Sequence, residues 1–193
     1  KGGNENYHLF ASNIDGSNTR DLTPFDGVKA SILNMLKEQK DYMIISMNKN
    51  NPQIFEPYKL NVVTGELTQL YENKDAANPI QGYEFDKDGE LRGYSRLVNG
   101  IESELYYKDL ATGEFRLLKK THWDDTFGVI AFNYASKNKD EAYVLTNLDS
   151  DKTRIVLYDL KQNKIIREIF ANEDYDVSGL HLSRKRNYEI DLM

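Results

Sequence analysis

The chain of 193 residues contains no cysteine. That alone excludes disulfide bridges, thiolate metal sites and cysteine nucleophiles. It chooses no compartment. Histidine is scarce: His8, His122 and His181 stand in different segments. None sits beside a Glu in an H-E-x-x-H arrangement, so a zinc reading has no local support. No apolar run approaches the roughly 20 residues of a membrane helix. The longest apolar cluster, around Tyr42 to Met47, has the length of a strand. Basic residues give no surplus, 25 against 31 acidic, for a formal charge of −6. Phosphate binding wants the opposite balance, which argues against nucleic acid. The short run Arg184-Lys185-Arg186 reads as a solvated turn. A phosphate cradle is missing too, because Gly2-Gly3 has neither a Lys-Ser/Thr pair nor a following helix. The chain opens Lys1-Gly2-Gly3-Asn4, without an initiator Met or a signal peptide, and ends Glu189-Ile190-Asp191-Leu192-Met193. Both ends read as cut, and the expectation is a piece of a longer polypeptide.

What the chain does have is a repeat. The segments HLFASNIDGSNTRDL, YKLNVVTGELTQL, YYKDLATGEFRLL and VLYDLKQNKIIREI share a strand, a tight turn and a second strand with a closing aliphatic. The closing residues Leu22, Leu70, Leu118 and Ile169 lie 48, 48 and 51 residues apart. The turns Asp15-Gly16, Thr64-Gly65, Thr112-Gly113 and Gln162-Asn163 each supply a residue that tolerates positive φ. Each period also contains two earlier strands. Ile80 to Thr121 reads IQGYEF, LRGYSRLV, SELYYKDL and EFRLLK, joined at Asp86–Gly89, Asn99-Gly100 and Thr112-Gly113. The stretch Ser31 to Gln39 also suits a helix, but the repeat requires a first strand there.

Four antiparallel strands per period of about 40–50 residues is the signature of a β-propeller blade. A β-sandwich would not repeat at a fixed 48. The predicted class is all-β, a partial propeller with three whole blades and partial blades at both ends. The boundaries are 1–27 (partial), 28–75, 76–123, 124–174 and 175–193 (partial), all in one propeller fragment. Two strands missing in front and two behind sum to one blade; an open arc of a larger ring is favoured over a small closed one. Tyr and Phe, 13 and 8 in number, suit the layers between blades.

Candidate chemistry is weak. Ser95 sits in Gly93-Tyr94-Ser95-Arg96-Leu97, which lacks the second Gly of a nucleophile elbow and lies mid-strand. It reads as an ordinary strand residue. Asp86-Lys87-Asp88-Gly89-Glu90 begins like a calcium loop, but the rest of that pattern is missing. It reads as turn chemistry, as do Asp124-Asp125 and Asp149-Ser150-Asp151. Glu173-Asp174-Tyr175-Asp176 reads as a solvated connector, and His122 with Trp123 as packing at a blade boundary. No catalytic, cofactor-binding or metal residue is assigned, and no cofactor is expected.

The opening GGNENYHLFASNIDGSNTRDLTPFDGV resembles the propeller of prolyl oligopeptidase family serine peptidases, especially bacterial acylaminoacyl and dipeptidyl peptidases. YEFDKDGELRGYSR and ASKNKDEAYVLTN resemble first hairpins of blades in that family, and TolB-type propellers share them. The resemblance implies a propeller that caps an α/β-hydrolase domain and admits only short peptides. The hydrolase domain of the parent chain and short peptides are then the partners, with a homo-oligomer possible. The family's catalytic Ser, Asp and His match no position here, so this piece is expected to be silent. Some members anchor the substrate amine with adjacent glutamates; this chain has no such pair. A periplasmic or cell-envelope location is implied over a cytoplasmic one. The alternative is a non-enzymatic TolB-type propeller that binds a protein or saccharide. Lyases that work inside a propeller remain a third class, but need His, Arg or metal clusters that are not evident here.

Overall fold

The computed structural model describes residues 5–192. Lys1 to Asn4 and Met193 lie outside the described residues, so the Gly2-Gly3 reading is not addressed. The chain is all-β, with one short 3-10 turn at Arg184–Arg186. Its first strands are β1 (Phe10–Ala11), β2 (Arg20–Asp21), β3 (Ala30–Asn34), β4 (Tyr42–Asn51), β5 (Ile54–Asn61) and β6 (Leu67–Gln69). Next come β7 (Ile80–Phe85), β8 (Leu91–Val98), β9 (Glu102–Lys108), β10 (Phe115–His122) and β11 (Phe127–Phe132). The last are β12 (Glu141–Thr146), β13 (Arg154–Asp159), β14 (Lys164–Phe170), β15 (His181–Ser183) and β16 (Glu189–Leu192). Three four-stranded antiparallel sheets run β3-β4-β5-β6, β10-β9-β8-β7 and β11-β12-β13-β14. Two-stranded sheets, β1-β2 and β15-β16, stand at the two ends of this order. This is the architecture of a partial β-propeller.

Two expectations shift in detail. Ser31 to Gln39 is a strand followed by a turn, as the repeat required. The tail segment VSGLHLS contributes only His181–Ser183 as strand, because Val177 instead ties its N–H to the Thr153 carbonyl (3.1 Å).

The four repeat turns are built alike. Gly16, Gly65 and Gly113 adopt φ of 81°, 82° and 77°, and Asn163 takes 52°. That left-handed geometry lets the chain reverse within the right-handed twist of the strands. In the second and third repeats the turn is also pinned by the residue that ends the strand. Asn61 Oδ1 accepts the N–H of Val63 (2.9 Å) and Thr64 (3.0 Å). Asp109 Oδ1 accepts the N–H of Ala111 (2.8 Å) and Thr112 (3.4 Å). Asp159 Oδ1 accepts the N–H of Gln162 (2.7 Å) in the fourth. These carboxylates and amides stand in for the missing ladder partner.

The chain divides into two compact units, residues 1–91 and 92–193. In the first, one face of the β3–β6 sheet buries Ile45, Met47, Tyr58 and Leu60 against Leu22, Val28 and Ala30. Leu9, Ala11 and Phe25 close the edge of this layer. The DLTPF segment locks it. Asp21 Oδ1 accepts the Thr23 N–H (2.9 Å), and the buried Thr23 hydroxyl accepts the Leu9 N–H (2.9 Å). Leu36 is fully buried, and its left-handed backbone (φ 42°) is held by Asn34 Oδ1 on its N–H (2.9 Å). Gly89, at φ +82°, presses close enough that a Cβ there would lie 3.0 Å from Leu36 Cδ2.

In the second unit, Leu105, Tyr107 and Leu118 pack on Phe132, Ala142, Val144, Val156 and Tyr158. The opposite face of β11–β14 buries Tyr143, Ile155 and Leu157 against Val177, Leu180, Leu182 and Ile190. A sheet buried on both faces by its neighbours is how a propeller solves the burial problem of a single blade.

Candidate functional site

The residues singled out in the sequence do not assemble into a catalytic group. Ser95 lies in the middle of β8, paired across to Leu105. Each histidine is joined to a local carboxylate: His8 Nδ1 to Asp21 (2.6 Å), His122 Nδ1 to Asp124 (2.8 Å), His181 Nδ1 to Asp191 (3.5 Å). Asp86 Oδ1 accepts the N–H of Asp88 and of Glu90, both at 3.0 Å, so the turn itself uses that oxygen. Among the described residues no group of three or more His, Cys, Asp or Glu could hold a metal ion. Asp125 accepts the His122 N–H (3.0 Å), and Asp176 accepts that of Thr153 (2.7 Å). Arg184–Arg186 is an exposed 3-10 turn, with Arg186 paired to Asp191. The packing expected of Trp123 is overturned. It is 74% exposed in the turn that follows β10, with the His122 ring 5.9 Å away.

The structure instead concentrates polar chemistry in buried joints. In the first unit, Glu56 is almost fully buried. Its Oε2 accepts from Asn50 Nδ2 (2.8 Å) and the Tyr58 hydroxyl (3.3 Å), and its Oε1 from the Asn73 N–H (2.9 Å). Burial and the Glu56 charge push the Tyr58 hydroxyl up to about 12. In the second unit Arg92 is 4% exposed. It donates to the Lys139 carbonyl (2.7 Å) and the Tyr107 hydroxyl (3.2 Å), with its guanidinium 4.7 Å from the Phe132 ring centre. Tyr107 in turn donates to Asp140. Burial, and then that bond, raises the Tyr107 pKa. The Arg92 network links β8 and β9 to the turn before β12, whereas the Glu56 network ties strands of one sheet to the segment that follows it.

The β8–β9 surface carries a second cluster. Arg96 reaches Glu104 through Nε (3.0 Å) and a terminal nitrogen (2.9 Å), and Tyr106 through the same nitrogen (2.7 Å). Tyr106 also donates to Glu104 (2.9 Å) and stacks on Tyr94 at 4.9 Å. Burial opposes ionisation of Glu104, but the bonds from Tyr106 and Arg96 outweigh it and hold the carboxyl below its usual range.

One open cavity of about 230 Å³ lies in the second unit, with Lys119, Phe127, Asp149, Tyr158, Asn163 and Lys164 among its walls. The Lys119 ammonium stands 5.3 Å from the Phe127 ring centre and 5.8 Å from that of Tyr158. The Tyr158 hydroxyl donates to Asn163 Oδ1 (2.6 Å), and burial pushes its pKa up to about 12. This wall offers cations and ring faces, and no nucleophile paired with a base.

Sequence reading missed the Arg92 joint because its hydrogen-bond partners are 15 to 47 residues apart. It missed the turn builders for a different reason. N-V-V-T-G-E from Asn61 and D-L-A-T-G-E from Asp109 were visible, and the Asn/Asp position carried the signal.

The fold thus belongs to the β-propeller class, in four-stranded blades of which the chain holds an arc. No family model matches the chain. Dipeptidyl aminopeptidase BIII of Pseudoxanthomonas mexicana is 32% identical over 91 residues, 47% of this chain and 13% of that protein. TolB from Acinetobacter baumannii superposes over 89% of this chain and 39% of its own, with a TM-score of 0.53 and 15% identity. A structure from a study of two prolyl endopeptidases superposes over 86% of this chain and 24% of its own, with a TM-score of 0.51 and 14% identity. The two structures establish the fold. Together with the sequence match they support the resemblance to the propeller domain of prolyl oligopeptidase family peptidases. The chain spans about an eighth of the curated relative's length. No helix of the described residues is long and apolar enough to cross a membrane.

Proposed function

We propose that this chain is part of a non-catalytic gating propeller of a serine peptidase that acts on short peptides. The observation that carries the reading is the 32% identity to a dipeptidyl aminopeptidase over 91 residues. The succession of four-stranded antiparallel sheets supports it. In this reading the chain's partner is the α/β-hydrolase domain of the same polypeptide, and the location is the periplasm or cell envelope. The propeller is one blade-built domain, with boundaries near residues 27, 75, 123 and 174. Its role is steric: a narrow passage selects for size without contributing a reacting group.

The test starts with the coding frame beyond residue 193. A downstream G-x-S-x-G segment, then Asp and His in that order, supports the peptidase reading. A stop codon before any such segment overturns it and leaves a free-standing binding propeller of the TolB type. Where the hydrolase domain is present, the whole enzyme and a version with the propeller removed are compared on peptides of rising length. The gating role requires the truncated enzyme to accept longer peptides. Equal length preference in both removes gating while leaving the peptidase assignment intact.

A further inference from the structure

Two arginines grip the backbone of a turn in the next sheet. Arg20, on β2, donates to the carbonyls of Val62 and Val63 (2.6 Å to Val63). Arg116, on β10, donates to the carbonyls of Leu160 (3.0 Å) and Lys161 (2.5 Å). In each case the gripped residues follow the Asn or Asp that opens the turn, Asn61 or Asp159. The guanidinium fork thus clamps the neighbouring turn by its backbone.

The two clamped joints differ in what lies beside the clamp. At the second, the turn runs on into Asn163, Lys164 and Ile165, which wall the cavity of about 230 Å³. Three polar wall residues have no counterpart in the first joint. Lys119 follows the closing Leu118, where Thr23 follows Leu22. Tyr158 precedes Asp159, where Leu60 precedes Asn61. Asn163 takes the left-handed turn position that Gly65 fills. The joint itself therefore requires neither Lys, Tyr nor Asn at these places. The backbone is irregular beside them as well. The β9–β10 ladder shifts between Leu117 and Lys119, and the β13–β14 ladder between Leu157 and Tyr158. Lys59 and Leu60 pair with Thr68 and Leu67 without a shift. A bulge of this kind re-aims a side chain.

The lining leaves a positive charge unanswered. Lys119 is part-buried and, among the described residues, makes no hydrogen bond or ion pair; its ammonium has only the Phe127 and Tyr158 rings, 5.3 and 5.8 Å from their centres. Asn163 Oδ1 is taken by the Tyr158 hydroxyl (2.6 Å), so its side chain offers the two N–H bonds of Nδ2, which bond to nothing among the described residues. Lys164 adds a second cation at the exposed rim, against the single carboxylate of Asp149. Leu148 and Ile165 add apolar surface. The volume is that of about eight waters at ~30 Å³ each, which is room for one ring.

We propose that this cavity binds a small organic carboxylate that carries one flat apolar ring, with the carboxylate on Lys119 Nζ and Asn163 Nδ2 and the ring against Phe127, Leu148 and Ile165. An ammonium bonded to a carboxylate is held more strongly than the same ammonium over a ring face. The inference goes beyond the peptidase reading and does not rest on it.

The test uses the full-length protein whose reading frame contains this chain, titrated calorimetrically with phenylacetate. One saturable site is expected. Phenylacetamide has the same shape without the charge and should bind about 10-fold or more weaker. Lys119→Met keeps an apolar stem over the rings and should weaken phenylacetate binding by about the same factor. Asn163→Gly keeps the turn conformation, as Gly65 does, and should weaken it about 3-fold or more. Lys161→Met removes the same charge from a position outside the walls and should leave affinity unchanged. Acetate leaves the apolar wall uncovered and should bind more weakly than phenylacetate. The proposal is overturned by the absence of a saturable site, by phenylacetamide or acetate binding as well as phenylacetate, or by Lys119→Met leaving affinity unaltered. The last result places the ligand elsewhere in the protein and leaves the peptidase reading intact.

Discussion

Glu84, on β7, carries an Oε2 that is sealed from water and, among the described residues, has no hydrogen-bond partner. Burial pushes its carboxyl up from 4.5 to about 7. The folded chain therefore holds a proton there that the unfolded chain has released between those two values. The stability of the protonated form is fully present below pH 4.5 and is lost as pH rises through about 7. At about 1.36 kcal/mol per pH unit, a displacement from 4.5 to about 7 costs about 3 kcal/mol above neutrality. The residue as a whole is part-exposed, so solvent screening makes this the ceiling. Glu84→Gln keeps the shape of the neutral acid and removes the titration. Urea unfolding of both proteins from pH 4.5 to 9, with extrapolation to water, reads the difference. Near pH 4.5 the two curves should meet. Above pH 7 the variant should be the more stable, by up to about 3 kcal/mol. Parallel pH profiles, or a variant less stable at pH 8, would refute the argument that an uncompensated charge sits there.

Other perturbations have defined outcomes. Asp140→Ala removes the carboxylate beside the buried Arg92 and the acceptor of the Tyr107 hydroxyl, and should cost about 2–4 kcal/mol in urea unfolding. Tyr107→Phe should cost less, because the charge pair survives. Arg116→Thr gives up two bonds from a cation to carbonyls and should cost about 1–2 kcal/mol by the same measurement. Gly89→Ala forces a Cβ to within 3.0 Å of Leu36 Cδ2 at a φ of +82°, and should lower stability by about 1–2 kcal/mol. Leu60→Ala opens a cavity at a fully buried position and should cost about 2–5 kcal/mol.

The fold was legible because its signals are local and periodic. IQGYEF and LRGYSRLV are β7 and β8 residue for residue, since alternating side chains and a Gly turn suffice to define a hairpin. Strand ends shifted where a cap or crossing bond competes, as at Val177, whose N–H is bonded to Thr153. Trp123 was misread because a large aromatic favours burial on average, while here it stands exposed in the turn after β10. The joints were not legible. Nothing local to Arg92 announces Lys139, and nothing local to Arg20 announces Val63. The repeat places positions 20, 68, 116 and 167 alike, each two residues before a closing aliphatic, but only the fold shows what Arg20 and Arg116 grip.

The clamp reads backbone oxygens and ignores the side chains that carry them. Val63 and Lys161 share no chemistry beyond the peptide group, yet the carbonyl of each is held by an arginine. A junction of that kind is indifferent to substitution on the side being gripped. Its turn residues are free to drift toward whatever a surface needs, while the interface persists. The sheets then behave as interchangeable parts with a common fitting. A module exchanged between two positions of the chain keeps its joint if it brings the arginine and meets a turn opened by Asn or Asp.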